Sequence, residues 1–120
     1  MADTVLLRIY DIVGGPVWAS MDDGQKVFDK ITTAFKAGRS VALSFANHKN
    51  MISAFLNASV GQLYGGDYEY DFLEKNLAFI DIDEDDLALL RRTIDNAKRY
   101  FSNRQAYDQA WRDAVEDDEE

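Results

Sequence analysis

His48 is the only histidine among 120 residues, so a histidine-paired nucleophile can form at one place only. The serines nearest to it in sequence are Ser44 and Ser53, which lie on either side of the polar loop 47–50. A serine nucleophile needs a histidine as general base and a third residue that orients the imidazole. No acid stands out as that third residue, so we interpret His48 as a polar loop residue and not as a catalytic base.

Asp81, Asp83 and Asp85 alternate as the first ligands of a calcium-binding loop do. Such a loop has glycine at its sixth position and a bidentate glutamate at its twelfth, whereas this sequence has Asp86 and Arg92 there. Acidic residues also cap helices and favour the first helical turn. The segment therefore indicates the start of a helix, and we expect neither a metal ion nor a cofactor.

Other common chemistries lack their residues in this sequence. Cysteine is absent, which excludes disulfides, thiolate metal sites and a cysteine nucleophile. Neither GxGxxG nor GxxxxGK[ST] occurs, so the glycine pairs at 14–15 and 65–66 predict turns and not phosphate-binding loops. We therefore expect a protein that is not an enzyme.

The negative charge lies in the second half of the chain. Residues 1–60 carry six Lys or Arg and five Asp or Glu. Residues 61–120 carry seven Lys or Arg and seventeen Asp or Glu. An acidic surface repels nucleic-acid phosphates and anionic lipids. We expect no direct nucleic-acid or membrane partner, and a protein partner instead.

The length predicts one domain. We place it at residues 1–115, followed by an acidic disordered tail at 116–120, because five consecutive carboxylates offer nothing apolar to pack. No apolar run approaches the roughly 18 residues of a membrane span, and the N-terminus lacks the basic flank of a signal peptide. These features predict a cytoplasmic protein.

The elements that must position the loop alternate between strands and helices. Val5–Val13 reads as a strand, and after the turn at 14–15 the segment Pro16–Ala19 reads as the second arm of a hairpin. Ser20 begins a helix with Asp23 as a weak capping box, and Gly38 ends it.

The remaining elements follow the same alternation. Ser40–Ala46 reads as a central strand whose small residues on one face would let a helix pack closely. A helix capped by Asn50 then runs to the glycines at 65–66, and Leu77–Ile82 reads as a third strand. Asp83 caps another helix, and a last helix follows Ser102-Asn103. This order predicts an α/β fold: a small mixed sheet with helices packed on it, an extra C-terminal helix and the acidic tail.

The segment Gly38–Gly65 resembles the signature of a known family. A strand V-x-L-x-F leads through a short polar loop to a helix I-[ST]-x-[AS]-F-L-N-x-x-[IV]-G-x-L-Y, and this pattern is similar to that of the STAS-like domain of unknown function. The matching positions are Val41, Leu43, Phe45, Ile52, Ser53, Ala54, Phe55, Leu56, Asn57, Val60, Gly61, Leu63 and Tyr64. The similarity extends over roughly residues 5–101.

The resemblance implies a STAS-like sandwich that works through protein–protein contact. In anti-sigma-factor antagonists with STAS domains, a kinase of histidine-kinase-like ATPase fold phosphorylates a serine where the loop meets the helix, and phosphorylation breaks the complex. Their motif reads roughly D-S-S-G, whereas this chain has Ile52-Ser53-Ala54-Phe55. Ser53 is therefore the nearest candidate phosphoacceptor, although it aligns with the aspartate; its other interpretation is a first-turn residue that satisfies free N–H groups.

Two function classes follow from these observations. The leading hypothesis is a regulatory interaction module, whose expected interaction surface comprises Asn47, His48, Lys49, Asn50, Ser53 and Asn57. Asn57 carries a helix-propensity cost that either a structural hydrogen bond or a partner contact would explain. The alternative is an acidic decoy, encoded by a phage or mobile element, that presents carboxylates in place of DNA phosphates and blocks a nucleic-acid-binding protein. Both hypotheses leave open whether the protein forms a homo-oligomer.

Overall fold

The computed structural model describes the backbone of residues 3–66 and 68–118, and the side chains of residues 3–66 and 68–102. Strands and helices alternate through most of this length, as the sequence predicts. In chain order the elements are β1 (Thr4–Arg8), α1 (Ile9–Val13), β2 (Val17–Trp18), α2 (Met21–Lys36), β3 (Ser40–Ser44), β4 (Asn50–Met51), α3 (Ser53–Ser59), a 3-10 helix (Gly61–Gly65), α4 (Tyr70–Asn76), β5 (Leu77–Ile80) and α5 (Glu84–Asp118). The predicted α/β fold with helices packed on a small sheet is confirmed, whereas the strand pairs of the described residues are all parallel and do not form the expected mixed sheet.

The main sheet has three parallel strands in the order β1-β3-β5. The register places Val5 and Leu77 on either side of Val41, and Arg8 and Ile80 on either side of Ser44. The three strands therefore end together at one carboxyl edge. A second, two-stranded parallel sheet pairs Val17 with Asn50 and thereby joins β2 to β4.

One face of the main sheet carries the core. Alternate residues of β3 and the segment after it are buried there, with the inward faces of α2 and α3 against them. The fully buried side chains include Trp18, Val27, Ile31, Leu43, Phe45, Phe55, Leu56, Leu63, Leu73 and Leu90. Within α2 and α3 the buried residues recur at helical spacing, so each helix presents one apolar face to the core.

The other face of the main sheet differs from the expectation of close helix packing. Leu6 on β1 and Ile80 on β5 are exposed by 46% and 36% on this face, beside the small Ala42 of β3. Ser44, on the same face of β3, is only 2% exposed. The edge strands of this face are therefore partly open to solvent, while its central strand is covered more closely.

The predicted hairpin is wrong. The chain turns into α1 at Ile9, whose side chain is fully buried, and α1 ends at Gly14 with a left-handed φ of 90°. The amides of Gly14 and Gly15 both donate to the carbonyl of Tyr10. The segment after this turn then pairs with β4 and not with β1. The apolar β-branched run therefore divides into a strand and one turn of helix, with Ile9 as the buried residue of that turn.

Three predicted helix caps, two on α2 and one on α5, are confirmed. Ser20 Oγ accepts a hydrogen bond from the amide of Asp23 at 3.0 Å, and Asp83 Oδ1 accepts from the amide of Asp86 at 2.9 Å. Gly38 has a φ of 76° just after α2, where its amide donates to the carbonyl of Phe35. Short polar side chains and glycine at these positions satisfy backbone groups that the helix itself leaves free.

Three predicted helix boundaries are wrong. Asn50 lies in β4, and the N-cap of α3 is Ile52, which makes no side-chain capping bond. The helix predicted up to the glycines at 65–66 changes to a 3-10 helix after Ser59. The backbone also stays helical through Ser102-Asn103, since neither residue is a glycine or proline that would break α5.

The predicted acidic tail begins near the end of the described chain. The backbone of residues 116–118 belongs to α5, while the side chains after Ser102 and residues 119–120 lie outside the described residues. The boundary of the tail stays a prediction. None of the described helices combines the length and the apolarity that crossing a membrane requires.

Candidate functional site

The loop that contains His48 lies at the carboxyl edge of the sheet. It follows the central strand β3 and leads through β4 into α3. Ligand and partner sites of open parallel sheets form at this edge, where loops from several strands meet. We therefore take the loop 47–50 and the residues that hold it as the candidate functional site.

His48 is held at both ring nitrogens. Its Nδ1 lies 2.8 Å from the carbonyl oxygen of Phe45, and its Nε2 lies 2.6 Å from Asp86 Oδ2 in the first turn of α5. Both partners accept hydrogen bonds, and only the imidazolium donates from both nitrogens. The ring is therefore held between the backbone at Phe45 and the Asp86 carboxyl group, and the His48 and Asp86 side chains are only 15% and 23% exposed.

Trp18 forms the floor beneath this ring. The Trp18 and His48 ring centroids are 4.9 Å apart at an interplanar angle of 30°. Trp18 is fully buried, donates from Nε1 to the carbonyl of Gly15 at 2.8 Å, and lies near the rings of Phe45 and Phe55. The imidazole is therefore fixed from below as well as at both edges.

Backbone hydrogen bonds hold the rest of the loop. The amides of Lys49 and Asn50 both donate to the carbonyl of Pro16, at 2.8 and 3.3 Å, and the amide of Ile52 donates to the carbonyl of Trp18. Asn47 turns the chain with a left-handed φ of 71°, a conformation that asparagine tolerates better than most residues. The side chains of Asn47, Lys49 and Asn50 are exposed on this fixed backbone.

Ser44 supports the same edge and forms no catalytic pair. Its hydroxyl donates to Asp81 Oδ2 at 2.6 Å and accepts from the amide of Ala46 at 3.3 Å. Ser44 is 2% exposed. Since both ring nitrogens of His48 are already engaged, the arrangement leaves no imidazole nitrogen to activate this serine.

Ser53 and Asn57 extend the exposed surface along α3. Ser53 is the first residue of the helix and Asn57 lies one turn later, so the two occupy the same helical face. Both are exposed. Asn57 also borders an apolar groove formed with Met21, Ala97 and Tyr100. All six residues expected at the interaction surface thus lie on the loop or on α3, with His48 as the inward-facing member.

Sequence reasoning missed Trp18 and Asp86. The sequence pattern predicts Trp18 in a hairpin and Asp86 in an acidic segment at the start of a helix. Neither residue is close to His48 in the sequence. The three acids of the calcium-like pattern also separate in space: Asp81 bonds Ser44 and Asp83 caps α5. No group of three or more His, Cys, Asp or Glu side chains within the described parts of the chain is arranged to hold a metal ion.

Comparison with known proteins identifies the family. Residues 23–87, more than half of the chain, match the model of the family described as STAS-like domain of unknown function (DUF4325). The chain belongs to this family, which is not a known enzyme family. The match covers α2 through the first turn of α5 and therefore includes the loop, α3 and Asp86. Curated proteins and solved structures give no match to the chain.

Proposed function

We propose that the chain is a non-enzymatic interaction module that regulates a partner protein, and that the exposed side chains of the loop 47–50 and the start of α3 form its recognition surface. Membership of the STAS-like family supports a regulatory module. The observation that carries the proposal is the anchoring of His48 between Phe45, Asp86 and Trp18.

The anchoring bears on binding through conformational entropy. A free loop loses backbone and side-chain entropy when a partner orders it, and a loop already fixed loses much less. Here three backbone amides, one imidazole and a buried indole fix a segment whose tip points to solvent. The exposed side chains of Asn47, Lys49 and Asn50 can therefore bind a partner at little cost in conformational entropy.

The resemblance to anti-sigma-factor antagonists suggests the class of partner. We propose a kinase or ATPase of histidine-kinase-like fold, with Ser53 as the candidate phosphoacceptor. Ser53 is exposed at the first position of α3, where an enzyme can reach its hydroxyl. A phosphate there would add up to two negative charges to the recognition surface and would weaken a complex that excludes water from it.

Capture of partners from the native host tests the proposal. The tagged protein is compared with Lys49→Glu, which reverses one exposed charge on the loop, and with Lys36→Glu, which makes the same change at the far end of α2. A partner that Lys36→Glu retains and Lys49→Glu loses supports the proposed surface. Equal retention of every captured protein by both variants would contradict it.

A further inference from the structure

A second pocket lies away from the loop, between the 3-10 helix, the start of α4 and α5. Its volume is about 420 Å³, and three tyrosines and two acids line it: Tyr64, Tyr68, Tyr70, Glu69 and Asp71. Along α5, Lys98 stands beside this pocket twelve residues after Asp86, which corresponds to about 18 Å of helix. The pocket is thus remote from the loop 47–50, and Phe101 separates it from the groove beside Asn57 by lining both.

Lys98 shows which chemical group the tyrosines accept. Its Nζ lies 5.5 Å from the ring centroid of Tyr64 and 5.0 Å from that of Tyr70. The two rings are 5.6 Å apart and inclined at 52°, so they form two walls of a corner. A cation within about 6 Å of an aromatic face is attracted by the ring quadrupole. The chain therefore already holds an ammonium group against this pair of rings.

The surroundings favour positive charge further. Burial raises the pKa of the Tyr64 hydroxyl, and the nearby Glu74 carboxylate and Tyr70 raise it as well. Tyr64 therefore stays a neutral phenol at pH 7. Glu69 and Asp71 are exposed at the mouth of the pocket, where their charges attract cations from solution.

Glycine backbone and an aromatic ring close one side of the pocket. Gly65 and Gly66 line this side, and a methyl group on Gly65 would overlap the Phe101 ring. Any larger residue at 65 would push Phe101 out of its position in the wall. The close approach of the 3-10 helix backbone at Gly65 to Phe101 of α5 is thus part of the shape of the pocket.

We propose that this pocket binds organic cations, with an ammonium or methylated ammonium group placed against Tyr64 and Tyr70, and that Lys98 occupies the ring pair when no ligand is bound. The ligand displaces the Lys98 ammonium and exchanges one cation–π contact for another. Methylated ammonium groups suit the site best, because they lose less hydration than a primary ammonium when they contact aromatic rings. Binding at this pocket does not depend on the recognition surface.

Choline and its neutral isostere 3,3-dimethyl-1-butanol test the proposal. Each is titrated into the wild-type protein and into Lys98→Ala, with NMR of the tyrosine rings as the readout. We expect Lys98→Ala to bind choline about fivefold more tightly than the wild type and about tenfold more tightly than it binds the neutral isostere. Equal affinity for the two compounds, or no choline binding by Lys98→Ala, would overturn the proposal.

Ring variants locate the site. Both ring variants are made in the Lys98→Ala background. Tyr70→Phe keeps the ring and should keep choline binding, whereas Tyr70→Leu removes the ring and should lose choline binding. Unchanged choline binding by Tyr70→Leu would contradict the assignment. Circular dichroism checks the fold of each variant. If Tyr70→Leu does not fold, the comparison of choline with its isostere decides alone, since it needs no ring variant.

A further arm distinguishes the source of the cation. A short peptide that contains trimethyl-lysine is titrated beside choline into Lys98→Ala. Tighter binding of the peptide supports a cation carried by a partner protein, and tighter binding of choline supports a small molecule. Failure of both would overturn the proposal and would leave the recognition surface around Lys49 unaffected.

Discussion

At the scale of single residues, His48 is the centre of the site. A histidine in a polar loop is usually solvated, and its sequence neighbours give no reason to expect more. Its two hydrogen-bond acceptors come from Phe45, three residues before it, and from Asp86, 38 residues after it. The second partner joins the loop to α5, so one side chain ties two elements together at the carboxyl edge of the sheet.

A double-mutant cycle measures this link. His48→Ala, Asp86→Ala and the double variant are compared by urea unfolding. The coupling energy should be about 1.5–3 kcal/mol, the range for a hydrogen bond to a carboxylate, because little solvent surrounds the two side chains. The exposed pair Lys26 and Asp23, 3.3 Å apart on α2, is the control. Its coupling should be about 0.2–1 kcal/mol. A coupling between His48 and Asp86 no larger than the control would contradict the anchoring.

At the scale of elements, α2 and α3 approach unusually closely at Gly24. A methyl group there would lie 2.6 Å from the carbonyl oxygen of Phe55 and 2.7 Å from the Cβ atom of Ala58. The backbones of the two helices therefore meet where α2 has no side chain. This contact fixes the position of α3, and with it the positions of Ser53 and Asn57.

Gly24→Ala should destabilise the fold for this reason. Alanine raises helix propensity, but the added methyl group has no space between the helices, and overpacking of this kind costs about 1–3 kcal/mol. Gly15→Ala is the matched control, because its added methyl group meets nothing within 4 Å. Thermal unfolding should show a lower Tm for Gly24→Ala than for the wild type, and almost no change in Tm for Gly15→Ala. Equal melting of the two variants would show that the helices can separate without cost.

Local signals in the sequence predict most of these elements, and tertiary partners explain the exceptions. The caps at Ser20, Gly38 and Asp83 depend on residues within a few positions, so the sequence alone places them correctly. The β2–β4 pair depends on two segments more than 30 residues apart, and a propensity pattern cannot reveal which segments will pair. The contacts of His48 with Trp18 and Asp86 could not be predicted for the same reason, because they also join segments that are distant in the sequence.

At the scale of the whole molecule, the acidic residues extend beyond the part of the chain that the family match covers. The family match runs from α2 to the start of α5, and the candidate site also includes Trp18 before α2, whereas the excess of acids extends to the end of the chain. A net charge of −9 keeps such a protein soluble and repels other polyanions. The acids at 116–120 contribute to this charge, and the sequence gives them no apolar neighbour within the run on which to pack.

Removal of residues 116–120 should therefore leave the fold intact. The five carboxylates repel one another and offer no apolar surface to offset the entropy of ordering them. We expect the truncated chain to melt within about two degrees of the full chain, as followed by circular dichroism at 222 nm, since changes remote from packed surface rarely exceed ±0.5 kcal/mol. A loss of many degrees would indicate that the acids contact the body of the protein.

The most direct test of the proposed recognition surface compares two kinds of charge change on one captured partner. Ser53→Glu adds an acid at the start of α3, where the helix dipole tolerates it. A second variant neutralises four exposed acids of the second half: Glu69→Gln, Asp71→Asn, Glu74→Gln and Asp95→Asn. The dissociation constants of the partner are measured by calorimetry for both variants and for the wild-type protein.

If the loop and the start of α3 form the recognition surface, Ser53→Glu weakens binding at least about tenfold, corresponding to about 1.4 kcal/mol, and the neutralised variant binds nearly as the wild type does. An acidic decoy predicts the reverse, with Ser53→Glu neutral and binding lost on neutralisation. A partner that tolerates Ser53→Glu and is lost with the four acids would contradict the account.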